Sequence, residues 1–304
     1  MAPHSPLPSP YLTRQQDFCI VLVKPSLAHS MYYLSRYVAF EASHRYWNPA
    51  FSEEYNRQCF GRCISPYGHG HNYVLCVTLR GYIDPDTGMV INIQQLDHLL
   101  KELVNEFDHK FINLDHPAFR DRIPTTENLV SYLYDRLLQR LGPTRANYQL
   151  ARVTLYEDPT LWAEAFTEAG VKGVTLTKTI CFTAARHLRS AALSDAENRA
   201  TFGKDTNPHG HDYELAVTIK GCIAPDTGMI VDLSSLVQIV QAEVLDRFDH
   251  TYLNEDTVAF RDLTPTAENI VRVIWDRLRE RLGPSLIQLS LREPPNTRFT
   301  YCAR

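Results

Sequence analysis

The chain has 304 residues, of which 44% are hydrophobic and 22% charged, with a formal net charge of -4. This length allows two domains of about 150 residues, each able to bury a core. The slight negative charge argues against nucleic acid or an anionic membrane as a partner, so an anionic substrate needs a local basic site. Seven scattered cysteines without Cys-x-x-Cys spacing predict a cytoplasmic protein without structural disulfides.

Residues 1–30 form a predicted flexible tail, because four prolines fall in the first ten positions. The longest apolar run near the start, Phe18 to Val23, is too short to cross a bilayer and lacks the basic leader of a signal peptide. We therefore expect no membrane partner. A first strand is predicted from Tyr32 to Phe40.

A second strand is predicted to open at Gly68-His69-Gly70-His71-Asn72-Tyr73, where apolar residues alternate with others. Apolar residues then recur at spacings of three and four between Ile93 and Phe107, and again between Leu129 and Leu141. This spacing predicts two amphipathic helices, each with one buried stripe. A last strand follows from Ala151 to Tyr156.

The second half of the chain repeats this order at a steady offset. Matching positions lie 140 or 141 residues apart: Gly88 and Gly228, Asp108-His109 and Asp249-His250, Glu127 and Glu268. The offset indicates a tandem duplication, with domains at 31–165 and 174–304 and the boundary in the weakly patterned stretch 160–173. Each unit is predicted to be an α+β domain, an antiparallel sheet with helices on one face.

Eight of the twelve histidines fall at matched places in the two halves. The pairs are His44 with His187, His69 with His209, His71 with His211, and His109 with His250. Side chains two apart on a strand share a face, so each His-x-His offers two imidazoles together. These histidines could be buried structural residues, but the repeated pattern favours a three-histidine metal site with an open position, for zinc or alternatively iron.

Cys63 lies six residues before His69. A thiol close to a cation can act as a base or a nucleophile, although a cysteine is more commonly a small buried apolar residue. The matching residue in the second half is Asp205, four residues before His209.

Two further groups of residues each allow a structural and a functional interpretation. Asp108-His109 is either a charge pair at a helix end or a proton-transfer pair in which the carboxylate orients the imidazole. Glu157 and Glu293 each lie at the end of the last strand of their repeat. Each is either a solvated carboxylate or an anchor for a ligand with adjacent N–H donors.

Six segments together resemble the 6-pyruvoyl tetrahydropterin synthase family. They are Phe40 to His44, Gly61 to Tyr73, Asp84 to Val90, Phe107 to Lys110, Thr125 to Asn128 and Val153 to Glu157. The resemblance covers about residues 35 to 165 and recurs over about 174 to 300. It implies two tunnelling-fold (T-fold) domains, each an antiparallel four-stranded sheet with two helices on one face.

The resemblance also implies one zinc ion per repeat and dihydroneopterin triphosphate as substrate, without NAD or flavin. The implied zinc ligands are His44, His69 and His71 in the first repeat and His187, His209 and His211 in the second. The implied catalytic residues are Cys63, Asp108 and His109. The pterin ring would be anchored by Glu157, with Thr126 and Glu127 nearby.

The second repeat departs from this pattern, because Asp205 stands in the cysteine position. Its short spacing to His209 and the segment 265–269 are more similar to 6-carboxytetrahydropterin synthase of the queuosine pathway. The loss of the thiol predicts a weak or silent site. Its remaining matched residues are Asp249, His250, Glu268 and Glu293.

We therefore expect the first repeat to form 6-pyruvoyl tetrahydropterin, with two alternatives: a 6-carboxytetrahydropterin synthase, or a non-catalytic pterin-binding or assembly protein. The six-residue spacing from Cys63 to His69 and the segment Thr125 to Asn128 favour the pyruvoyl product. Members of the family form rings of three domains stacked in pairs. A tandem chain is thus expected to form a homotrimer that imitates a hexamer, with sites shared between chains.

Overall fold

The structure is a computed structural model that describes residues 30–142, 147–294 and 297–302. The predicted proline-rich tail, apart from residue 30, lies outside the described residues. The chain divides into two compact units. The first comprises the residues up to Tyr46 and Ser65–Val174, and the second comprises Trp47–Ile64 and the residues from Thr175 onward.

The first unit contains a sheet of four antiparallel strands in the order β5-β4-β2-β1. These strands are β1 (Tyr32–His44), β2 (His69–Gly81), β4 (Tyr148–Asp158) and β5 (Leu161–Glu168). A two-residue strand, β3 (Lys110–Phe111), pairs in parallel with β1. The long β1–β2 pairing places the end of one strand beside the start of the other, so that His44 faces His69.

Two long helices accompany this sheet, α2 (Ile93–Val104) and α4 (Thr126–Leu141). Asn92 and Thr125 cap them by accepting hydrogen bonds from the first-turn N–H groups. The predicted stripes are buried, as Leu100 and Leu137 illustrate, whereas Ile93 at the start of the first stripe is exposed. A single turn of helix, α3 (Ile112–Asp115), follows β3.

The second unit repeats this arrangement with the order β10-β9-β7-β6 and the short β8 beside β6. Its strands are β6 (Val171–Arg186, in this unit from Thr175), β7 (His209–Lys220), β8 (Thr251–Tyr252), β9 (Leu286–Glu293) and β10 (Thr297–Cys302). Its helices include α5 (Asp195–Phe202), α6 (Leu233–Val240), α7 (Asp246–Phe248), α8 (Leu253–Asp256) and α9 (Ala267–Leu282). A π-helical turn at Gln241–Leu245 joins α6 to α7. The predicted α+β architecture of two tandem T-fold domains is confirmed.

One segment of the first repeat belongs to the second unit. It contains α1 (Glu53–Phe60) and a 3-10 turn at Gly61–Ile64. The side-chain amide of Asn48 donates to the Asp226 carbonyl at 2.7 Å. The two units therefore do not follow the sequence repeats at this segment, and Cys63 lies in the second unit.

The stretch 160–173, where the sequence places the domain boundary, has regular structure. It contains β5 and the start of β6, joined by Ala169 (φ 49°) and Gly170 (φ 80°). Two successive residues with positive φ suit the tight turns that match the twist of neighbouring strands. The buried residues of β5 include Ala163 and Ala165. Because their side chains are small, the alternation of apolar and polar residues that is typical of a strand is weak in this segment.

Candidate metal centre

Three histidines converge where β1 ends and β2 begins. His44 is the last residue of β1, and His69 and His71 share one face of β2 because they are two residues apart. The strand pairing sets His44 opposite His69 and Ala42 opposite His71. The small Ala42 leaves room for the three rings, whose centroids lie 4.6 to 5.2 Å apart.

These imidazoles and Glu157 form a potential metal site. One ligand atom from each of the four residues lies within 4.8 Å of the others. The Nε2 atoms of His44 and His69 are 3.2 Å apart. Two nitrogens bound to one tetrahedral zinc ion would be separated by about 3.3 Å, given Zn–N bonds of about 2.05 Å. The spacing therefore fits a zinc-sized ion.

The hydrogen bonds also leave ring nitrogens available to a metal. His44 donates its Nδ1–H to the Pro124 carbonyl at 2.9 Å, which leaves the Nε2 lone pair directed at His69. His71 Nε2 is buried without a hydrogen-bond partner and lies 3.4 Å from Glu157 Oε1. A buried polar atom without a partner calls for a ligand, and a metal ion bound at this nitrogen would also be attracted by the nearby carboxylate.

Burial keeps two of these imidazoles neutral. It lowers the pKa of His44 from 6.5 to about 3, and the nearby His71 contributes in the same direction while the bond to Pro124 opposes it. Burial, His44 and His71 together lower the pKa of His69 to about 4, against the attraction of Glu157. Neutral imidazole is the form that binds metal, so both ligands are ready at neutral pH.

Glu157 is 5% exposed and is held by two hydroxyl groups. The hydroxyl of Thr126 donates a hydrogen bond to Oε2, and Tyr46 donates to the same oxygen at 3.2 Å. Tyr46 was not recognised in the sequence because no motif surrounds it. Glu127 is buried at the start of α4. Oε1 of Glu157 thus remains the acceptor for a ligand.

A cavity of about 480 Å³ opens beside this cluster. Its lining includes Glu41, Gly70, His71, Glu157 and Pro159. The volume is in the range of pockets that hold small molecules. A ligand in this cavity would meet the imidazole of His71 and the carboxylate of Glu157 together.

The predicted Asp108-His109 pair is formed at the edge between β1 and β3. His109 Nδ1 lies 3.0 Å from Asp108 Oδ2, and the His109 side chain is 75% exposed. The Glu41 N–H donates to Asp108 Oδ1 at 2.9 Å, which is the main cause of a lowered pKa for this carboxyl, with His109 contributing. His109 has φ 54°, a strained conformation of the kind found at functional sites. Glu41, which the sequence patterns did not single out, links this pair to the cavity.

Cys63 is half-buried in the 3-10 turn Gly61–Ile64 of the second unit. Asp205 occupies the same place in the corresponding turn, Gly203–Thr206. Cys63 and Asp205 therefore occupy equivalent positions in the backbone of the two repeats.

The second repeat differs at the third histidine. The pairing of β6 with β7 places Arg186 opposite His209 and Ala184 opposite His211. Arg186 therefore corresponds to His44, and the sequence-based match of His44 to His187 is wrong by one residue. His187 corresponds instead to Arg45, because the side chains of Asn254 and Asn113 bind their backbones in the same way. The order His-Arg of the first repeat is reversed to Arg-His.

This one-residue shift keeps His187 out of the cluster. His187 lies just beyond Arg186, the last residue of β6. His187 Nδ1 makes a very short contact with the hydroxyl of Tyr252, while Arg186 is buried and 4% exposed. Within the described residues, the only convergent group of potential metal ligands is the one in the first repeat.

The other matched residues of the second repeat divide in a similar way. Asp249 and His250 form the same pair as in the first repeat, at 2.9 Å, and His250 has φ 56°. Glu293 is close to His211 but is bound by Arg186 Nη2 at 2.7 Å. Glu268 at the start of α9 is exposed, in contrast to the buried Glu127.

One signal in the sequence could have identified Arg186. Phe40 and Phe182, like Phe60 and Phe202, are 142 residues apart, and this offset matches His44 to position 186. His187 obscures this offset, because it repeats the residue type of His44 one position further along the chain.

Comparisons with known proteins identify several relatives of this chain. A 6-pyruvoyl tetrahydrobiopterin synthase of Pongo abelii is 43% identical over 125 residues, which cover 41% of this chain and 83% of that protein. The Homo sapiens protein of that name is 42% identical over 125 residues, with the same coverage. A 6-carboxy-5,6,7,8-tetrahydropterin synthase of Bacillus subtilis is 29% identical over 111 residues, covering 34% and 73% of the two chains. The solved structure of Caenorhabditis elegans 6-pyruvoyl tetrahydropterin synthase is 34% identical, with a TM-score of 0.42, and covers 43% of this chain and 96% of that one.

No helix in the described part of the chain is both long and apolar enough to cross a membrane. The family model for 6-pyruvoyl tetrahydropterin synthase matches the chain twice, at residues 33–168 and 175–304. The chain therefore belongs to the 6-pyruvoyl tetrahydropterin synthase family, as a tandem duplication of the family's domain.

Proposed function

We propose that the first repeat converts 7,8-dihydroneopterin triphosphate to 6-pyruvoyl tetrahydropterin with release of triphosphate. The observation that carries this proposal is the convergence of His44, His69 and His71 beside a cavity that also contains Glu157. The three imidazoles hold zinc in this proposal. Glu157 remains outside the coordination sphere, so that one position of the metal stays open.

Glu157 anchors the pterin ring in this proposal. Its Oε2 already accepts two hydroxyl hydrogen bonds, and Oε1 is left for a ligand. The amino-pyrimidine edge of a pterin presents adjacent N–H donors, which match a carboxylate. A buried carboxylate discriminates strongly in favour of such donors, because a ligand without them leaves the charge unpaired.

The proton transfers are assigned to side chains. A bound zinc ion would polarise the hydroxyl groups of the pterin side chain and acidify the adjacent C–H bonds. Cys63 as a thiolate accepts a proton and returns it, and His109, oriented by Asp108, exchanges protons with it. The two electrons lost when a side-chain hydroxyl becomes a carbonyl reduce the N5–C6 double bond of the ring. Loss of a proton from the neighbouring side-chain carbon expels triphosphate as its C–O bond breaks. The resulting enol tautomerises to the second carbonyl and a methyl group, so no external oxidant is needed.

The proposed pyruvoyl product is supported by the higher sequence identity of the chain to pyruvoyl-forming relatives. The identity to pyruvoyl-forming relatives is 42–43% over 125 residues, against 29% over 111 residues for the Bacillus subtilis carboxy-forming relative. The alternative product, 6-carboxytetrahydropterin, keeps fewer carbons of the side chain. Mass spectrometry of the products therefore distinguishes the two reactions.

The test of the proposal uses the purified full chain, zinc and 7,8-dihydroneopterin triphosphate. We expect the wild type to form the pyruvoyl product and triphosphate. The Cys63→Ala variant should lose turnover, and the matched Asp205→Ala variant should keep it. A wild type that binds the substrate without turnover would instead support a non-catalytic pterin-binding protein.

We also propose that three chains assemble into a pseudo-hexamer of T-fold domains, in which Cys63 of one chain meets Asp108 and His109 of another. The high exposure of His109 supports this, because a proton-transfer residue needs a partner surface around it. Light scattering should give the mass of three chains. A monomer at micromolar concentration would contradict the assembly.

A further inference from the structure

The second repeat keeps two of the three imidazoles at the same separation, although His209 donates its Nδ1–H to the Asn207 carbonyl, whereas the Nδ1 of His69 is buried without a partner. The ring centroids of His209 and His211 are 5.0 Å apart, as are those of His69 and His71. His209 Nε2 is buried without a hydrogen-bond partner. The residue types of the two clusters differ at the third position, where the strand pairing places Arg186 in place of His44.

Arg186 makes the contacts of His44 and then extends further. Its Nη1 donates to the Pro265 carbonyl at 2.9 Å, as His44 Nδ1 donates to the Pro124 carbonyl at 2.9 Å. Its Nη2 lies 2.7 Å from Glu293 Oε1 and 3.4 Å from His211 Nε2. The guanidinium thus places a positive charge beside both the carboxylate and the imidazole, and the proposed metal ion of the first repeat would be the corresponding positive charge there.

The surroundings of the carboxylate have changed together with the arginine. Tyr46 and Thr126 donate hydrogen bonds to Glu157, and their counterparts in the second repeat are Leu188 and Ala267. Neither counterpart has a polar side chain, so Arg186 takes over the role of binding Glu293. Arginine is always charged in proteins, and it neutralises this carboxylate without a metal.

We propose that the guanidinium of Arg186 is a permanent replacement for the metal ion, so that each chain binds a single zinc ion, in the first repeat. Two histidines are too few for a stable tetrahedral site, and a fixed positive charge at the centre repels a dication. This inference rests on the proposed zinc site of the first repeat but not on which product that repeat forms.

The test measures zinc content after saturation with zinc and removal of the unbound metal. Wild-type protein should retain one ion per chain. His71→Ala should abolish this retention, and the matched variant His211→Ala should leave it unchanged. Two ions in the wild type, with one lost in His211→Ala, would overturn the proposal, as would a single ion that depends on His211.

A gain-of-function variant tests the role of Arg186 directly. The double variant Arg186→His with His187→Arg restores the residue order of the first repeat. We expect it to bind two zinc ions per chain, and cobalt substitution should show a doubled visible absorption of tetrahedral sites. A folded double variant that still binds one ion would contradict the assignment to Arg186. If this variant does not fold, the His71→Ala and His211→Ala pair remains decisive.

Discussion

At the scale of single residues, the anchoring of Glu157 depends on its hydroxyl donors. The carboxylate is buried, and its Oε2 is held by Thr126 and Tyr46. A buried acceptor that loses a donor costs about 1–3 kcal/mol of stability. The orientation of Oε1 toward the cavity depends on the same bonds.

We predict that Thr126→Ala lowers the free energy of unfolding by about 1–3 kcal/mol and reduces kcat/KM roughly tenfold, which corresponds to about 1.4 kcal/mol. Denaturant unfolding and steady-state kinetics measure the two effects. The reciprocal control is Ala267→Thr in the second repeat, which should not change the kinetics. Wild-type kinetics in Thr126→Ala would show that this hydroxyl does not position Glu157.

The buried imidazole of His44 predicts a pH dependence of stability in the metal-free protein. Its pKa is lowered to about 3 in the folded chain, from 6.5. Between these values the unfolded chain binds more protons, so the free energy of unfolding falls as the pH is lowered below about 6.5. One histidine contributes a slope of at most about 1.4 kcal/mol per pH unit.

We therefore expect His44→Gln to show a shallower loss of stability than the wild type between pH 6.5 and pH 4, in the presence of a chelator. Urea unfolding at several pH values measures the difference, and carboxylates that titrate in this range contribute equally to both proteins. Identical slopes would mean that His44 is not neutral in the folded protein.

At the scale of elements, the junction of β1 and β2 sets the positions of the three proposed metal ligands. Gly68 precedes His69 and has φ 74°. A Cβ atom at this position would lie 2.8 Å from the His44 carbonyl oxygen and 2.7 Å from Phe111 Cε2. The backbone can approach His44 this closely only because residue 68 is glycine.

We predict that Gly68→Ala separates the ends of the two strands, costs about 1–3 kcal/mol through strain and weakens zinc binding. A suitable control is Gly210→Ala, since a Cβ at Gly210 would lie at an ordinary distance of 3.7 Å from the Ala184 carbonyl oxygen. Zinc titration and thermal unfolding check both variants. Equal zinc affinity and equal thermal stability of the two variants would mean that the close approach of Gly68 to His44 does not set the geometry of the site.

Much of this element structure could be predicted from the sequence. Periods of two and of about 3.6 residues identified the main strands and helices, and the repeated histidines indicated the first-repeat cluster. The error at His187 arose because a repeat offset is uncertain by one residue, while a strand needs the correct residue to choose the face. Because of this one-residue difference, the predicted ligand His187 lies away from the site, and Arg186 takes the position of His44.

Other features depend on contacts that no local pattern contains. Tyr46 and Glu41 act on Glu157 and Asp108 across long sequence separations. The inclusion of residues 47–64 in the second unit likewise depends on packing. Such contacts follow from the folded structure and not from the spacing of residue types.

At the scale of the whole molecule, the duplication has produced two repeats with one architecture and different chemistry. The first keeps three histidines, Glu157 and its hydroxyl donors. The second has an arginine at the centre, an aspartate in place of Cys63, and an exposed Glu268 in place of the buried Glu127. These changes affect the proposed metal site, the proposed base and the surroundings of the proposed pterin anchor together. They predict that only the first repeat is active.

The most direct test of this central claim compares turnover of 7,8-dihydroneopterin triphosphate by His71→Ala and His211→Ala, two substitutions at equivalent positions. The account predicts that His71→Ala forms no 6-pyruvoyl tetrahydropterin and that His211→Ala stays within about twofold of wild type, a change below about 0.5 kcal/mol. Full turnover in His71→Ala, or its loss in His211→Ala, would contradict the account.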